Sequence, residues 1–569
     1  MKGEKMRRIL LLVLILCSVA GCALAGVLQL PDGLKQISEE CFCGDTSLDA
    51  VIIPDAVTEI GERAFADSSL SEIWIPASVT YIADNAFEGV ECVLLYTPAS
   101  SPAESWAENQ SNVSLSMPAS WFTTQKNADG TVTITKYIGP EDADNLLIPG
   151  YIDGKRVTKI GASAFYMQTG LTGNLRIPQG VTEVGDWAFY GCSGLDGILT
   201  LPDSLEKIGT SAFADCTSLR CTTLDLHSTA QIGALAFCGC ASLTGSLTIP
   251  EGTEEIAIGA FSGCGFNGTL TLPDSLTIIG ENAFSECSGL KGSLDLPENL
   301  TRIGGYAFYG CKKLTGSLVL PQNLKSIGTY AFAGCSGLTG DVTIPGTVSL
   351  IDCYAFSGAG FKGKLTLSEG VTGVMEYAFF GSKFTGDLVI PSSMKEIFAY
   401  AFFGSSFSGN LILSEGVKSV GDYAFAESGL SGTLTMPGTL KTIGKYAFAD
   451  TDLCGVLTIP AKLAEIPEGA FRNTRFDDAL EIPQTVEVIG TYAFAGSKNL
   501  TEITFQGGTE LEKQAFYGCD NLEKAYLPES VVKIGDEAFG DCQYLTMYVR
   551  ENSAALRYAE SENIPYELY

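Results

Sequence analysis

The chain has 569 residues, 46% hydrophobic and only 18% charged, so it carries enough apolar surface to bury a core and does not read as disordered. Sixty-six acidic residues against 35 basic ones give a formal net charge of −31, with no Lys/Arg run to offset it locally, which argues against nucleic-acid partners. The single histidine, His227, removes most chemistry that needs an imidazole base or a multi-histidine metal site.

At the N-terminus, Lys2, Lys5, Arg7 and Arg8 precede an apolar stretch from Ile9 to Ala20, the arrangement of a bacterial secretory signal over residues 1–25. Two processing sites compete. Val19-Ala20-Gly21-Cys22 resembles a lipobox, with the signal ending at Gly21 and Cys22 as the lipidation candidate, while Ala23-Leu24-Ala25 fits ordinary signal peptidase. The first leaves a lipid-anchored protein and the second a released one; both are extracytoplasmic. No later apolar run reaches the 18 or so residues of a membrane span.

From residue 26 onward the chain repeats. An Ala-Phe pair, Cys-Phe in the first case, recurs with Phe at 42, 65 and 87 and then at 165, 189, 213, 237, 261, 284, 308, 332, 356, 379, 402, 425, 448, 471, 494, 516 and 539, in steps of 22 to 24 residues. A period of this size is the signature of a solenoid, because one unit cannot bury its own apolar face and must stack on its neighbours.

In the unit beginning at Leu314, Leu318 and Leu320 alternate with Val319 as in a half-buried strand, and Pro321 ends it. Leu324 and Ile327 point inward, Gly328 permits a tight turn, and residues 330–334 predict a single helical turn docked by Phe332. The expected fold is a solenoid with a continuous parallel β-sheet and short helical turns, about twenty coils in two arrays.

These residues resemble the BspA-type leucine-rich repeat family of bacterial surface proteins, whose unit has the form L-x-x-I-x-I-P-x-x-V-x-x-I-G-x-x-A-F-x-x-C. Most middle units carry one extra residue before the strand, as in Leu-Thr-Gly-Ser-Leu-Val-Leu, whereas Leu500-Thr501-Glu502-Ile503-Thr504-Phe505 keeps the shorter form. The resemblance implies a leucine-rich repeat fold on the cell surface, with adhesion to host or matrix proteins or to neighbouring cells; no specific ligand motif carries over.

The period breaks between Phe87 and Phe165. Residues 100–110 parallel the C-terminal residues 552–566, and both read as short amphipathic helices that cover an array's open end. Residues 121–160 hold two turn pairs, Asp129-Gly130 and Asp153-Gly154, flanked by alternating patterns, and read as a β-rich opening cap. The expected organisation is a short array with its cap over 26–117, an N-terminal cap over 118–160, the main array over 161–550 and a C-terminal cap over 551–569. The coil around His227 is irregular.

Of 18 cysteines, nine fall three residues after the repeat Phe: Cys192, Cys216, Cys240, Cys264, Cys287, Cys311, Cys335, Cys519 and Cys542. Ser382, Ser405, Ser428, Thr451, Thr474 and Ser497 hold the same position elsewhere, so the column reads as small buried side chains, not obligate disulfides. Cys41 with Cys43 and Cys238 with Cys240 are C-x-C pairs without a matched second pair, which makes zinc a weak reading. Asp142, Asp144, Asp477 and Asp478 lack calcium-loop spacing.

With one histidine and Ser-Gly pairs that recur as turn residues, no catalytic constellation, metal site or cofactor is expected. The sharper column lies two residues before the repeat Phe: Tyr306, Tyr330, Tyr354, Tyr377, Tyr400, Tyr423 and Tyr446 in seven successive coils. Stacked coils place these rings in one row, either as a self-stacking ladder or as a docking rail for peptide or glycan. Thr200, Thr248, Thr271, Thr343, Thr366, Thr435 and Thr458 give the strands a hydroxyl-rich outer face suited to many weak contacts. Three functions follow in order: a multivalent protein- or glycan-binding adhesin, a structural spacer of the envelope, and an enzyme, for which the chain lacks a nonrepeat domain.

Overall fold

The computed structural model describes residues 27–226 and 231–569. The chain forms a parallel-strand β-solenoid and divides into two compact units, one ending at Glu206 and the other running from Lys207 to Tyr569.

In the first unit, five parallel strands follow one another in chain order: Val27–Gln29, Ala50–Ile52, Glu72–Trp74, Val93–Tyr96 and Val113–Leu115. The like-to-like register, Val51 on Ile73 and Ile73 on Leu95, turns the sequence period into columns of apolar side chains. Phe42, Phe65 and Phe87 stack at 5.3 and 5.2 Å, and helix α1 (Pro102–Ala107) sets Trp106 5.5 Å from Phe87. Its N-cap Ser101 accepts from the Glu104 N–H at 3.1 Å, and Ala103 and Ala107 are buried under it.

A hairpin of Phe122–Lys126 and Val132–Tyr137 follows, antiparallel within itself and parallel to Lys155–Ile160. Tyr137 stacks on Phe165 at 5.3 Å and Phe122 meets the same ring edge-on at 6.2 Å, so two aromatics close a second Phe column from above.

In the second unit the Phe column from Phe237 to Phe539 repeats at 5.1–5.7 Å with near-parallel rings. The longest sheet is not the one expected from Leu318 and Leu320. It is a nine-stranded ladder of two-residue strands running from Glu255–Ile256 through Arg302–Ile303 and Ser326–Ile327 to Thr442–Ile443.

Residues 318–320 lie outside any strand, although Leu318 and Leu320 are buried and Val319 is 70% exposed. On this side the ladder is broken into short pieces: Val342–Ile344 pairs with Leu365–Leu367, and Leu388–Ile390, Leu411–Leu413 and Leu434–Thr435 pair in turn. Just before these strands, side chains of the preceding coil meet the backbone N–H groups. Lys364 N donates to Asp341 Oδ1 (2.7 Å), Asn410 N to Asp387 Oδ1 (2.7 Å) and Thr433 N to Asn410 Oδ1 (2.8 Å). From Asp478 onward, strands Asp478–Ile482, Leu500–Phe505, Lys524–Tyr526, Thr546–Val549 and Tyr566–Leu568 form one five-stranded parallel sheet.

The Ala-Phe segment departs from a plain helical turn. Tyr330 and Gly334 sit at φ +56° and +71°, and this alternation sends the N–H groups of Tyr330, Phe332 and Gly334 along the stack to the carbonyls of Cys353, Ala355 and Ser357 at 3.1, 2.8 and 2.9 Å. The intervening N–H groups of Ala331 and Ala333 close turns within the coil on Gly328 and Tyr330. Gly328 is required by packing: a Cβ there would lie 2.5 Å from Gly305 N of the preceding coil.

Candidate functional site

The seven tyrosines form one continuous row. Ring centroids from Tyr306 to Tyr446 are 4.8, 4.5, 4.7, 4.7, 4.9 and 5.0 Å apart, with planes within 4–20° of parallel. Each ring therefore covers the face of the next, and only ring edges and hydroxyls remain for a partner. Tyr306, at the open end, is 37% exposed.

All seven residues hold left-handed backbone with φ between +54° and +58°, a conformation that costs an L-residue roughly 1–2 kcal/mol. Gly259 and Gly469 occupy the same turn position at φ +60° without that cost. The Tyr446 ring lies directly over Gly469, which ends the row, and its hydroxyl donates to Glu468 Oε1 at 3.0 Å.

Burial among the stacked rings pushes the hydroxyls of Tyr330, Tyr354, Tyr377, Tyr423 and Tyr446 above the usual phenol range, so all five stay neutral at physiological pH. Next to the row stands a second set of aromatics, in the position after the repeat Phe. Tyr309 meets Tyr306 edge-on at 5.5 Å, Phe380 meets Tyr377 at 5.7 Å, and Phe403 meets Tyr400 at 5.7 Å. Phe380 and Phe403 also stack on each other at 5.7 Å, and Phe380 is 38% exposed. These three residues widen the row into an aromatic patch. Their signal in the sequence was an aromatic in the Ala/Ser/Gly column after the repeat Phe.

The 16 described cysteines are free thiols. In the buried column the S–H reaches the preceding coil: Cys240 Sγ donates to Phe213 O at 3.0 Å, Cys287 to Phe261 O at 3.0 Å and Cys335 to Phe308 O at 3.1 Å. The shorter hydroxyls of Ser405, Thr451 and Thr474 donate instead to the Phe carbonyl of their own coil at 2.7–2.8 Å. Burial pushes the thiols of Cys192, Cys287 and Cys335 up to about 12, which makes them poor nucleophiles and poor metal ligands at neutral pH. Among the described residues no cluster of His, Cys, Asp or Glu could hold a metal ion.

Of the threonine face, Thr248 pairs with Thr271 and Thr343 with Thr366, and all four side chains are exposed. Where long units give way to short ones, a groove of about 710 Å³ opens on this face, floored by Thr458, Ala479 and Thr504 and flanked by Val456, Glu481 and Gln506. His227, Cys22 and the 1–25 segment lie outside the described residues. No described helix is long and apolar enough to cross a membrane.

The family model for the BspA-type leucine-rich repeat region matches in six copies, over residues 19–97, 153–267, 220–339, 259–384, 339–454 and 464–558. The chain belongs to the BspA-type leucine-rich repeat family. Among solved structures, this BspA-type protein is similar to a leucine-rich repeat protein from Bacteroides ovatus at 24% identity, covering 79% of this chain and 98% of that one with a TM-score of 0.42. A leucine-rich cell-surface protein from Faecalibacterium prausnitzii matches at 24% identity over 77% of this chain and 95% of its own, with a TM-score of 0.34. The pneumococcal vaccine antigen PcpA matches at 17% identity over 79% and 96%, with a TM-score of 0.28. No curated protein matches this chain.

Proposed function

We propose that this BspA-type protein is an exported, noncatalytic surface adhesin that holds protein or glycan partners through many weak contacts along its solenoid. The observation that carries the reading is the aromatic patch: seven stacked tyrosines at 4.5–5.0 Å spacing, broadened by Tyr309, Phe380 and Phe403. Repetition lets contacts of low individual affinity add along one partner. The faces of the rings hold the coils together, so recognition uses edges, hydroxyls and the exposed side of Phe380. Family membership supports the surface location, with the segment before residue 26 serving as export signal and Cys22 as the lipidation candidate.

The test is a binding screen of the purified protein against matrix proteins and neutral and acidic glycans, with Phe380→Ser/Phe403→Ser and a variant changing Tyr306 through Tyr446 to Ser run in parallel. Binding that survives both variants removes the patch as the contact surface. Silence across the screen favours an envelope spacer, the second reading, which the unbroken stacking of the Tyr faces favours. The mass of the exported N-terminus separates acylated Cys22 from cleavage after Ala25.

A further inference from the structure

In the first unit, a separate groove of about 330 Å³ lies where the strand ending at Trp74 faces the turn after Tyr151. Its volume is at the small end of the roughly 300–1,000 Å³ typical of ligand pockets. Trp74 and Tyr151 line it and pack on each other, their centroids 6.2 Å apart and their planes tilted by 46°. Asp55 and Asp153 stand at its mouth, both exposed, and among the described residues neither carboxylate has an ion pair or hydrogen bond. Tyr151 is only 5% exposed, yet its hydroxyl has no hydrogen-bond partner among the described residues. No lysine or arginine lines the groove.

Each feature selects for positive charge. The partly exposed Trp74 indole attracts a cation through its quadrupole, and two unpaired carboxylates add charge complementarity at the entrance. The unpaired hydroxyl supplies an acceptor lone pair inside. Pro98, Pro118 and Pro149 fix the rim, so little conformational freedom is lost when it is filled. The chain as a whole carries a formal net charge of −31.

We infer that this groove binds a single cationic side chain, arginine or lysine, presented on an exposed segment of a partner protein. The site is distinct from the tyrosine row and does not depend on it. A cation settles against the exposed part of the Trp74 indole with Asp55 and Asp153 at its head, and the partner backbone stays outside.

The experiment is calorimetric titration of the purified protein with acetyl-Gly-Arg-Gly amide and with the matching citrulline peptide, which keeps the shape and removes the charge. The arginine peptide is expected to bind saturably, and at least tenfold more tightly than the citrulline peptide. Asp55→Asn/Asp153→Asn is expected to weaken the arginine peptide at least fivefold. Asp274→Asn/Glu298→Gln, which makes the same change of charge at exposed positions of the second unit, is expected to leave binding within twofold of the parent. Both pairs are exposed, so folding is preserved and can be checked by circular dichroism. Trp74→Phe is expected to retain binding and Trp74→Ala to lose it. Absence of saturable binding, equal affinity for citrulline, or equal effects of the two charge-matched pairs overturns the proposal.

Discussion

Arg176 donates to Glu72 across 104 residues of sequence: Nη2 lies 3.3 Å from Oε1, on a carboxylate whose side chain is 2% exposed. The Gln179 N–H donates to the same oxygen at 3.2 Å. Glu72 sits on the outward face of a strand in the short array, and Arg176 and Gln179 belong to the coils after the hairpin. The outer face of that first sheet is therefore covered, with Tyr96 and Tyr151 6.0 Å apart beside the pair.

Burial pushes the Glu72 carboxyl above its usual range even against the pull of Arg176, with Asp49 adding a smaller upward push. Between the ordinary and the raised value the folded state holds a proton that the unfolded chain has lost, so this group favours folding as pH falls through that window. Removing the guanidinium with Arg176→Met leaves a buried charge unpaired, which costs about 3 kcal/mol at neutral pH. The deficit shrinks on acidification as Glu72 takes up a proton. Urea denaturation at several pH values checks the sign; a deficit independent of pH sinks the account.

The tyrosine row trades backbone strain for stacking, and two substitutions at one position separate the terms. Tyr377→Ala loses the ring contacts to Tyr354, Tyr400 and Phe380 and keeps φ near +58°. Tyr377→Gly loses the same contacts and removes the strain, so it is expected to be about 1 kcal/mol more stable than the alanine variant, the reverse of the order in a helix. Denaturation midpoints of the two proteins decide the point.

Gly328→Ala places a methyl 2.5 Å from the Gly305 nitrogen of the neighbouring coil. The expected loss is about 2 kcal/mol, from the backbone shift that overpacking forces. Hydrogen exchange at Gly328, whose N–H donates to Ile303 O at 2.9 Å, should accelerate in the variant relative to coils far along the stack.

Thiol accessibility gives the fourth test. Cys92 is exposed, whereas Cys287, Cys311 and Cys335 are fully buried, and burial raises the pKa of these three. A disulfide-exchange reagent at pH 8 is expected to modify Cys92 within minutes and the buried column only on denaturation. Cys335→Ser is expected to cost about 1 kcal/mol, since the shorter hydroxyl turns to its own coil as Ser405 does and abandons the Phe308 carbonyl.

Much of the tyrosine row was legible because identical register converts spacing into distance. Residues 23 or 24 apart in one turn position must stack, and the rings do so at about the strand repeat. Tyr309, Phe380 and Phe403 were not singled out, because a column that mixes aromatic, Ala, Ser and Gly shows no pattern along the chain. The strand expected at Leu318–Leu320 failed for a related reason: alternation reports which side chains point inward, and both leucines do, but it says nothing about whether neighbouring backbones come close enough to bond.

The sequence by itself determined the repeat, the columns and the family, because stacking makes every local period a tertiary contact. Only the tertiary structure decided which of two possible ladders carries the longest sheet, that the turn before every repeat Phe except Phe87 holds a left-handed residue, and that Glu72, Arg176, Trp74 and Tyr151 meet. Those contacts reach across the break between Phe87 and Phe165, and no spacing along the chain encodes the distance between residues on either side of it.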